Sequence, residues 1–182
     1  MKHLIREEIE KGMPNVFNSP KEAGVVEAIF IRPVRNERKS LQEVQLSPEN
    51  GVEGDRWVNL CWVKLKDGSS DPRAQVSLFN SRLMRLIAPN KRFWPLAGDN
   101  FIVEFDLCLL RPGQRLSLGE AVIEISDQPH TGCHKFAIRY GQEVKDYLDS
   151  SEGVRHNLRG VYATILQAGK VKVGDSLKKI AL

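Results

Sequence analysis

From Gly24 onward the chain is cut into short segments of strand-like texture, and this limits its fold more than any other feature. The segments are VVEAIFI (25–31), LQEVQL (41–46), AQVSLF (74–79), NFIVEF (100–105), RLSLG (115–119) and AVIEIS (121–126). A closing pair, GVYATILQAG (160–169) and KVKVGDSLKKI (170–180), is joined near Gly169–Lys170. Several alternate with period two, which places every second side chain on one face of a sheet. Gly, Pro, Asn and Asp punctuate them, as tight turns require. Turn signals about every eight to twelve residues point to a barrel or sandwich rather than βαβ layers. The segments are therefore expected to form one curved sheet or a closed barrel, a mainly β fold with a few short peripheral helices.

Helical spacing is rarer. Residues 2–11 carry Leu4, Ile5 and Ile9 on one side, and Gly12, Pro14 and Pro20 are expected to break the chain after them. Further helices are expected over 80–88 and 134–149. The chain has 182 residues and no linker or low-complexity tract, which suits a single core. We divide it into an N-terminal helix-and-loop extension, 1–23, and one domain, 24–182.

Hydrophobic residues make up 41% and charged residues 27% of the chain, the balance of an ordinary globular protein. No stretch approaches the roughly 18 to 20 apolar residues that span a bilayer, so no membrane role is expected. The start, MKHLIREEIEKGMP, is too acidic for a leader. Three cysteines without framework spacing argue for reduced thiols and a cytoplasmic location. A net charge of +4 suits an anionic ligand. No Lys/Arg run exceeds two residues and no reading motif is present, so nucleic acid is not expected as the partner. There is no GxGxxG after a strand, no phosphate-binding GxxxxGK[ST], no HExxH and no GxSxG.

The densest reactive cluster is Pro129-His130-Thr131-Gly132-Cys133-His134-Lys135-Phe136. It follows a strand and precedes a helical stretch, so Cys133 falls near a strand-to-helix junction. Unpaired N–H groups and the cationic neighbours His134 and Lys135 favour thiolate there, the form a sulfur nucleophile or metal ligand needs. Cys61 and Cys108 sit among apolar residues and are expected to be core. A zinc site would need four ligands, and none completes the set that His130, Cys133 and His134 begin. A second cluster, Gly51-Val52-Glu53-Gly54-Asp55-Arg56-Trp57, offers a guanidinium in a tight polar turn. Trp57 can stack on a planar ring or close the barrel mouth, and core or rim packing is the safer expectation. A third set combines Arg73, Gly98-Asp99-Asn100-Phe101 and Arg155-His156-Asn157-Leu158-Arg159-Gly160, each beside a strand end.

Taken together, GVEGDRW (51–57), RAQVSLFN (73–80), LAGDNF (96–101), LRPGQRLSLGEAVIEIS (110–126), PHTGCHKF (129–136) and LRGVYATILQAGKVKVGDSL (158–177) resemble the MOSC domain in order and spacing. That domain is named for the C-terminal part of molybdenum cofactor sulfurases. The resemblance covers about residues 24–180 and is nearest the short, free-standing bacterial-type branch. It implies a mostly antiparallel β-barrel and a cysteine, matching Cys133, that carries sulfur or ligates molybdenum. It also implies that Arg56, Arg73, Asn100 and Arg159, with His130, Thr131 and Lys135 beside the cysteine, bind the molybdenum cofactor, an anionic pterin (molybdopterin). The chain departs from the pattern twice: Trp57 stands where many members have His, and Gly132 where many have Pro.

Three functions are compatible with this resemblance. The chain can be the cofactor-binding component of an oxidoreductase for N-hydroxylated compounds, with electrons from a partner, since no flavin, NAD or iron–sulfur motif is present. It can be a non-catalytic carrier that holds persulfide sulfur on Cys133 for a cofactor or acceptor protein. Or it can be a barrel that binds a small anion. Pyridoxal phosphate enters only through a separate cysteine desulfurase partner.

Overall fold

Closing a ring of seven strands fixes one property in advance. Chain direction must return to itself around the ring, so the number of antiparallel pairings is even and at least one pairing is parallel. The computed structural model, which describes residues 2–180, has this arrangement. Its strands are β1 (Ala23–Ile31), β2 (Lys39–Leu41), β3 (Glu43–Ser47), β4 (Gly51–Val52), β5 (Val76–Asn80), β6 (Phe101–Glu104), β7 (Arg115–Leu118), β8 (Ala121–Ile125), β9 (Val161–Gln167), β10 (Gly169–Lys172) and β11 (Ser176–Lys179). The barrel runs β1-β11-β7-β8-β9-β5-β6 and closes on β1 through Ala23↔Lys178 to Val25↔Ser176. Its parallel pair is β5–β6, with Leu78 opposite Phe101; the other pairings are antiparallel. The barrel is thus mixed rather than purely antiparallel.

A parallel pair needs a crossover, and residues 81–97 provide it. They form α3 (Ser81–Ile87) and a 3-10 helix, Lys91–Ala97. Asn80 starts α3 by accepting from the N–H groups of Arg82 and Leu83 at 2.8 and 3.0 Å, a side-chain cap.

Two apolar cores follow from which strands the helices cover. Val26, Leu78, Phe101, Val103, Ile123, Ala163 and Leu177 fill the barrel interior, as side chains do in barrels of this size. Outside the barrel, Phe30, Phe79 and Ile102 meet α1 (Arg6–Phe17), α3, α4 (His134–Tyr140) and α5 (Gln142–Leu148). β5, covered on both faces, is buried throughout. β8 has no helix over it and alternates, with Ala121, Ile123 and Ile125 inward and Val122 and Glu124 outward.

Four expectations are corrected. Segment 41–46 divides at Gln42: β2 extends the barrel sheet, and β3 joins a separate sheet, β10-β3-β4. Val44, Leu46, Val52 and Val171 bring that sheet onto the barrel core. Segment 170–180 divides at Gly174, so β10 pairs β3 and β11 returns to the barrel instead of forming one hairpin with β9. The stretch 134–149 is two helices separated at Gly141, whose φ of 108° no helix accommodates. The N-terminal helix runs through Gly12 and Pro14 rather than stopping there. Burial of Ile9, Met13 and Val16 on that helix outweighs the lost backbone bond, and a Cβ on Gly12 would stand 2.5 Å from Leu86. Short helices α2 (Trp57–Leu60) and α6 (Ser151–Arg155) complete the fold. Met1 and residues 181–182, the ends of the two assigned spans, lie outside the described residues. Among the described residues no helix is long and apolar enough to cross a membrane.

The alternation on β8 gives a direct test. Ile123→Ala, which empties a fully buried site, is expected to cost about 2–5 kcal/mol of unfolding free energy. Val122→Ala, one residue away and facing outward, is expected to cost less than about 1 kcal/mol, both measured by urea denaturation.

Candidate functional site

β1 ends in IRPVRNERK, and that loop brings Arg32, Arg35 and Arg38 to the barrel mouth. Arg56, Lys135, Arg139 and Arg159 arrive from α2's start, α4 and the approach to β9. These seven cations line one cavity of about 410 Å3, together with Trp62, His130, Thr131, Cys133 and Tyr162, and no carboxylate of the described residues lines it. Pockets of this size accommodate small ligands and cofactors.

Two of the seven are neutralised from behind. Arg32 donates to Asp55 through Nε (2.9 Å) and Nη2 (3.1 Å), and its Nη1 donates to the Gly98 carbonyl. Arg159 donates from Nη1 to both oxygens of Asp99, at 2.9 and 3.2 Å. Its guanidinium also lies 4.6 Å from the Phe136 ring centroid. Both aspartate side chains are fully buried. Asn100 joins the pairs: its Nδ2 donates to Asp55, while its Oδ1 accepts from Ser77 N–H and hydroxyl and from Arg32.

The other five have no carboxylate partner among the described residues. Arg38 donates to the Glu37 carbonyl, Arg139 to the Leu96 carbonyl and Lys135 to the Asn36 amide oxygen. Arg38 Nε is buried without a partner. Burial, followed by repulsion from Arg139, Arg32 and Arg56, pulls the Arg38 guanidinium below its ordinary value. An anion in the cavity relieves that crowding.

Cys133 is exposed on this wall, at the N-cap position of α4, where its carbonyl accepts from Phe136 and Ala137. Its loop is held by α5: the Gly132 N–H donates to Asp149 Oδ1 at 2.8 Å, and Lys145 pairs with Asp149 at 2.9 Å. The departure at Gly132 therefore has a physical reason, because proline has no N–H to give. The departure at Trp57 does as well. That indole is buried beside Cys61 and Ala74, donating to the Asp71 carbonyl at 3.1 Å, and is core rather than platform. Cys61 and Cys108 are buried, and burial pushes the Cys108 thiol up to about 12.

The His130 side chain is 5% exposed and packs at a tilt on Tyr162, with ring centroids 4.1 Å apart. Its Nε2 stands 3.5 Å from Asp99, too far for a strong ion pair. Burial, then Arg159 and Arg32, hold its pKa well below 6.5, so the imidazole is neutral.

The structure thus brings Cys133, Arg56, His130, Thr131, Lys135 and Arg159 to one cavity. Asn100 lies behind the wall as a support, and Arg73 lies elsewhere, tied to Asp71 (2.7 Å) and Asp127 (3.3 Å). Arg32, Arg35, Arg38, Arg139, Trp62 and Tyr162 were missed. The available signal was the spacing of three arginines, each three apart, between a strand and the next turn.

Comparison with known proteins places this geometry. The MOSC domain family model matches residues 71–178, more than half of the chain. The fold is similar to the crystal structure of the YuaD protein from Bacillus subtilis, at TM-score 0.58 and 19% identity over 85% of this chain and 94% of that one. YiiM from Escherichia coli is similar at TM-score 0.56 and 17% identity, over 87% of this chain and 70% of that one. No curated protein matches.

Two outcomes are expected. Asp149→Ala removes the acceptor for Gly132 and is expected to cost about 1 kcal/mol, with faster amide hydrogen exchange across 130–133. For His130, the unfolded chain binds a proton as pH falls below 6.5 and the folded chain does not. Stability should therefore decline in that range by up to about 1.4 kcal/mol per pH unit. His130→Gln should show a shallower decline in urea midpoints measured from pH 7 downward.

Proposed function

The chain belongs to the MOSC domain family, and on that premise we propose that it binds a molybdenum cofactor with Cys133 as the metal's thiolate ligand. One observation carries this reading: an exposed thiol opens into a cavity lined by seven cations and by no carboxylate of the described residues. The residues fit the group. Its phosphate calls for guanidinium forks, and Arg38, Arg56 and Arg139 have no carboxylate partner among the described residues to compete for them. A soft metal calls for a sulfur ligand, and no cluster of three His, Cys, Asp or Glu able to hold a metal occurs among the described residues.

When bound, the cofactor supplies two-electron reduction of an N–O bond, with electrons from a separate donor protein. The chain's own residues orient and shield. Arg32 and Arg159 hold the wall rigid through Asp55 and Asp99. The Gly132–Asp149 bond fixes where the thiol stands. His130 stays neutral and adds no positive charge to the wall.

Cys133→Ala is expected to abolish molybdenum in protein purified from a cofactor-producing host, by elemental analysis. Thermal stability should change by no more than about 0.5 kcal/mol, since an exposed side chain is removed. Metal-free wild-type protein carrying cyanide-releasable sulfur on Cys133 would replace this reading with persulfide carriage, supplied by a cysteine desulfurase partner.

A further inference from the structure

The cavity holds more positive charge than one phosphate uses. After Asp55 and Asp99 neutralise Arg32 and Arg159, the cations Arg35, Arg38, Arg56, Lys135 and Arg139 remain without a carboxylate among the described residues. A phosphomonoester carries about −1.5 to −2 charges at neutral pH. About three positive charges are then left uncompensated around a partly enclosed space, where burial, followed by repulsion from Arg139, Arg32 and Arg56, already pulls the Arg38 guanidinium below its ordinary value. Arginines placed only for solubility would be dispersed on open surface. These converge, and Arg38 Nε is buried without a partner.

A second observation is independent of charge. Trp62 is 67% exposed at the same cavity, with its ring 6.4 Å from Tyr162. Indole is the side chain best suited to stack on a planar base. Cations for phosphates beside an open aromatic platform make a composite site.

We propose that this cavity takes a diphosphate joined to an aromatic base, a ligand of the nucleoside diphosphate class. The phosphates lie among Arg35, Arg38, Arg56 and Arg139, and the base lies against Trp62. Such a group can arrive as a free nucleotide or as the nucleotide half of a cofactor extended through a diphosphate; the chemistry recognised is the same. The inference rests on the cavity being the anion site of the proposed function, and it needs neither the metal nor the thiol.

Cofactor-free full-length protein is titrated by calorimetry with inorganic phosphate, pyrophosphate, guanosine monophosphate, and guanosine and adenosine diphosphates. Pyrophosphate is expected to bind at least ten-fold more tightly than phosphate, and the nucleoside diphosphates about ten-fold more tightly again. Trp62→Ala should remove the second increment and leave pyrophosphate affinity unchanged. Arg56→Gln should weaken pyrophosphate and the nucleotides alike. Equal binding of mono- and diphosphates would overturn the proposal, as would unchanged nucleotide affinity in Trp62→Ala. A single-stranded oligonucleotide that binds more tightly than the nucleoside diphosphates would overturn it too. The same titrations on Cys133→Ser separate the two readings. Its nucleotide affinities should match wild type, and if it retains molybdenum, metal ligation by Cys133 fails while the nucleotide site stands. Loss of molybdenum in that variant, with no discrimination between mono- and diphosphates, leaves the cofactor reading intact and sinks this one. Protein saturated with cofactor distinguishes the two sources: release of a nucleoside monophosphate on mild acid hydrolysis identifies the extended cofactor, and its absence beside tight free-nucleotide binding identifies the free nucleotide.

Discussion

Seven strands cannot close into a ring without a parallel pair, and the site depends on where that pair falls. Placing it at β5–β6 commits residues 81–97 to a crossover, whose end is Gly98-Asp99-Asn100 at the start of β6. Asn100 then bonds across to Ser77 on β5 and onward to Arg32 and Asp55. Asp99, one residue earlier, meets Arg159 at the approach to β9. The polar spine of the site is thus set at the one place where the barrel departs from antiparallel pairing.

Charge is managed in two layers. Asp55 and Asp99 sit fully buried behind the wall, each paired with an arginine that reaches the cavity. Removing either partner of such a pair leaves a buried charge and costs about 3–5 kcal/mol, so Arg32 and Arg159 are structural as well as electrostatic. The cations in front are satisfied only by neutral oxygens, or by nothing among the described residues. Their field remains available to a ligand, and burial shields part of it from salt screening. His130 lies between the layers and stays uncharged for the same reason, since burial and two nearby guanidiniums disfavour a further cation.

The helices contribute position more than chemistry. α1, α3, α4 and α5 share one core with Phe30, Phe79 and Ile102 on the barrel's outer surface. That packing carries α4 and α5 to the mouth, and the Gly132–Asp149 bond ties the thiol's loop to α5. The N-terminal helix belongs to this layer through Ile9, Met13 and Val16, and its main chain at Arg6 donates to Glu143 of α5 at 2.6 Å.

Period-two alternation is a local property, so most of the barrel strands were legible in the amino-acid order alone. The Cys133 loop was legible for a similar reason, since its reactive residues are adjacent in the chain. The burial of Cys61 and Cys108 followed from their apolar surroundings, and packing was the safer expectation for the Trp57 indole. Other features depend on residues far apart in the chain, and no local pattern encodes them. Tertiary structure alone decided that 41–46 and 170–180 would each split between two sheets, that Arg73 would be taken up by Asp71 and Asp127, and that Asn100 would stand behind the wall. It alone decided which arginines would be neutralised, because Arg32 and Asp55 are 23 residues apart and Asp99 and Arg159 are 60 apart. Composition showed a modest positive excess. Only the through-space pairing of charges showed that five cations are left facing one cavity.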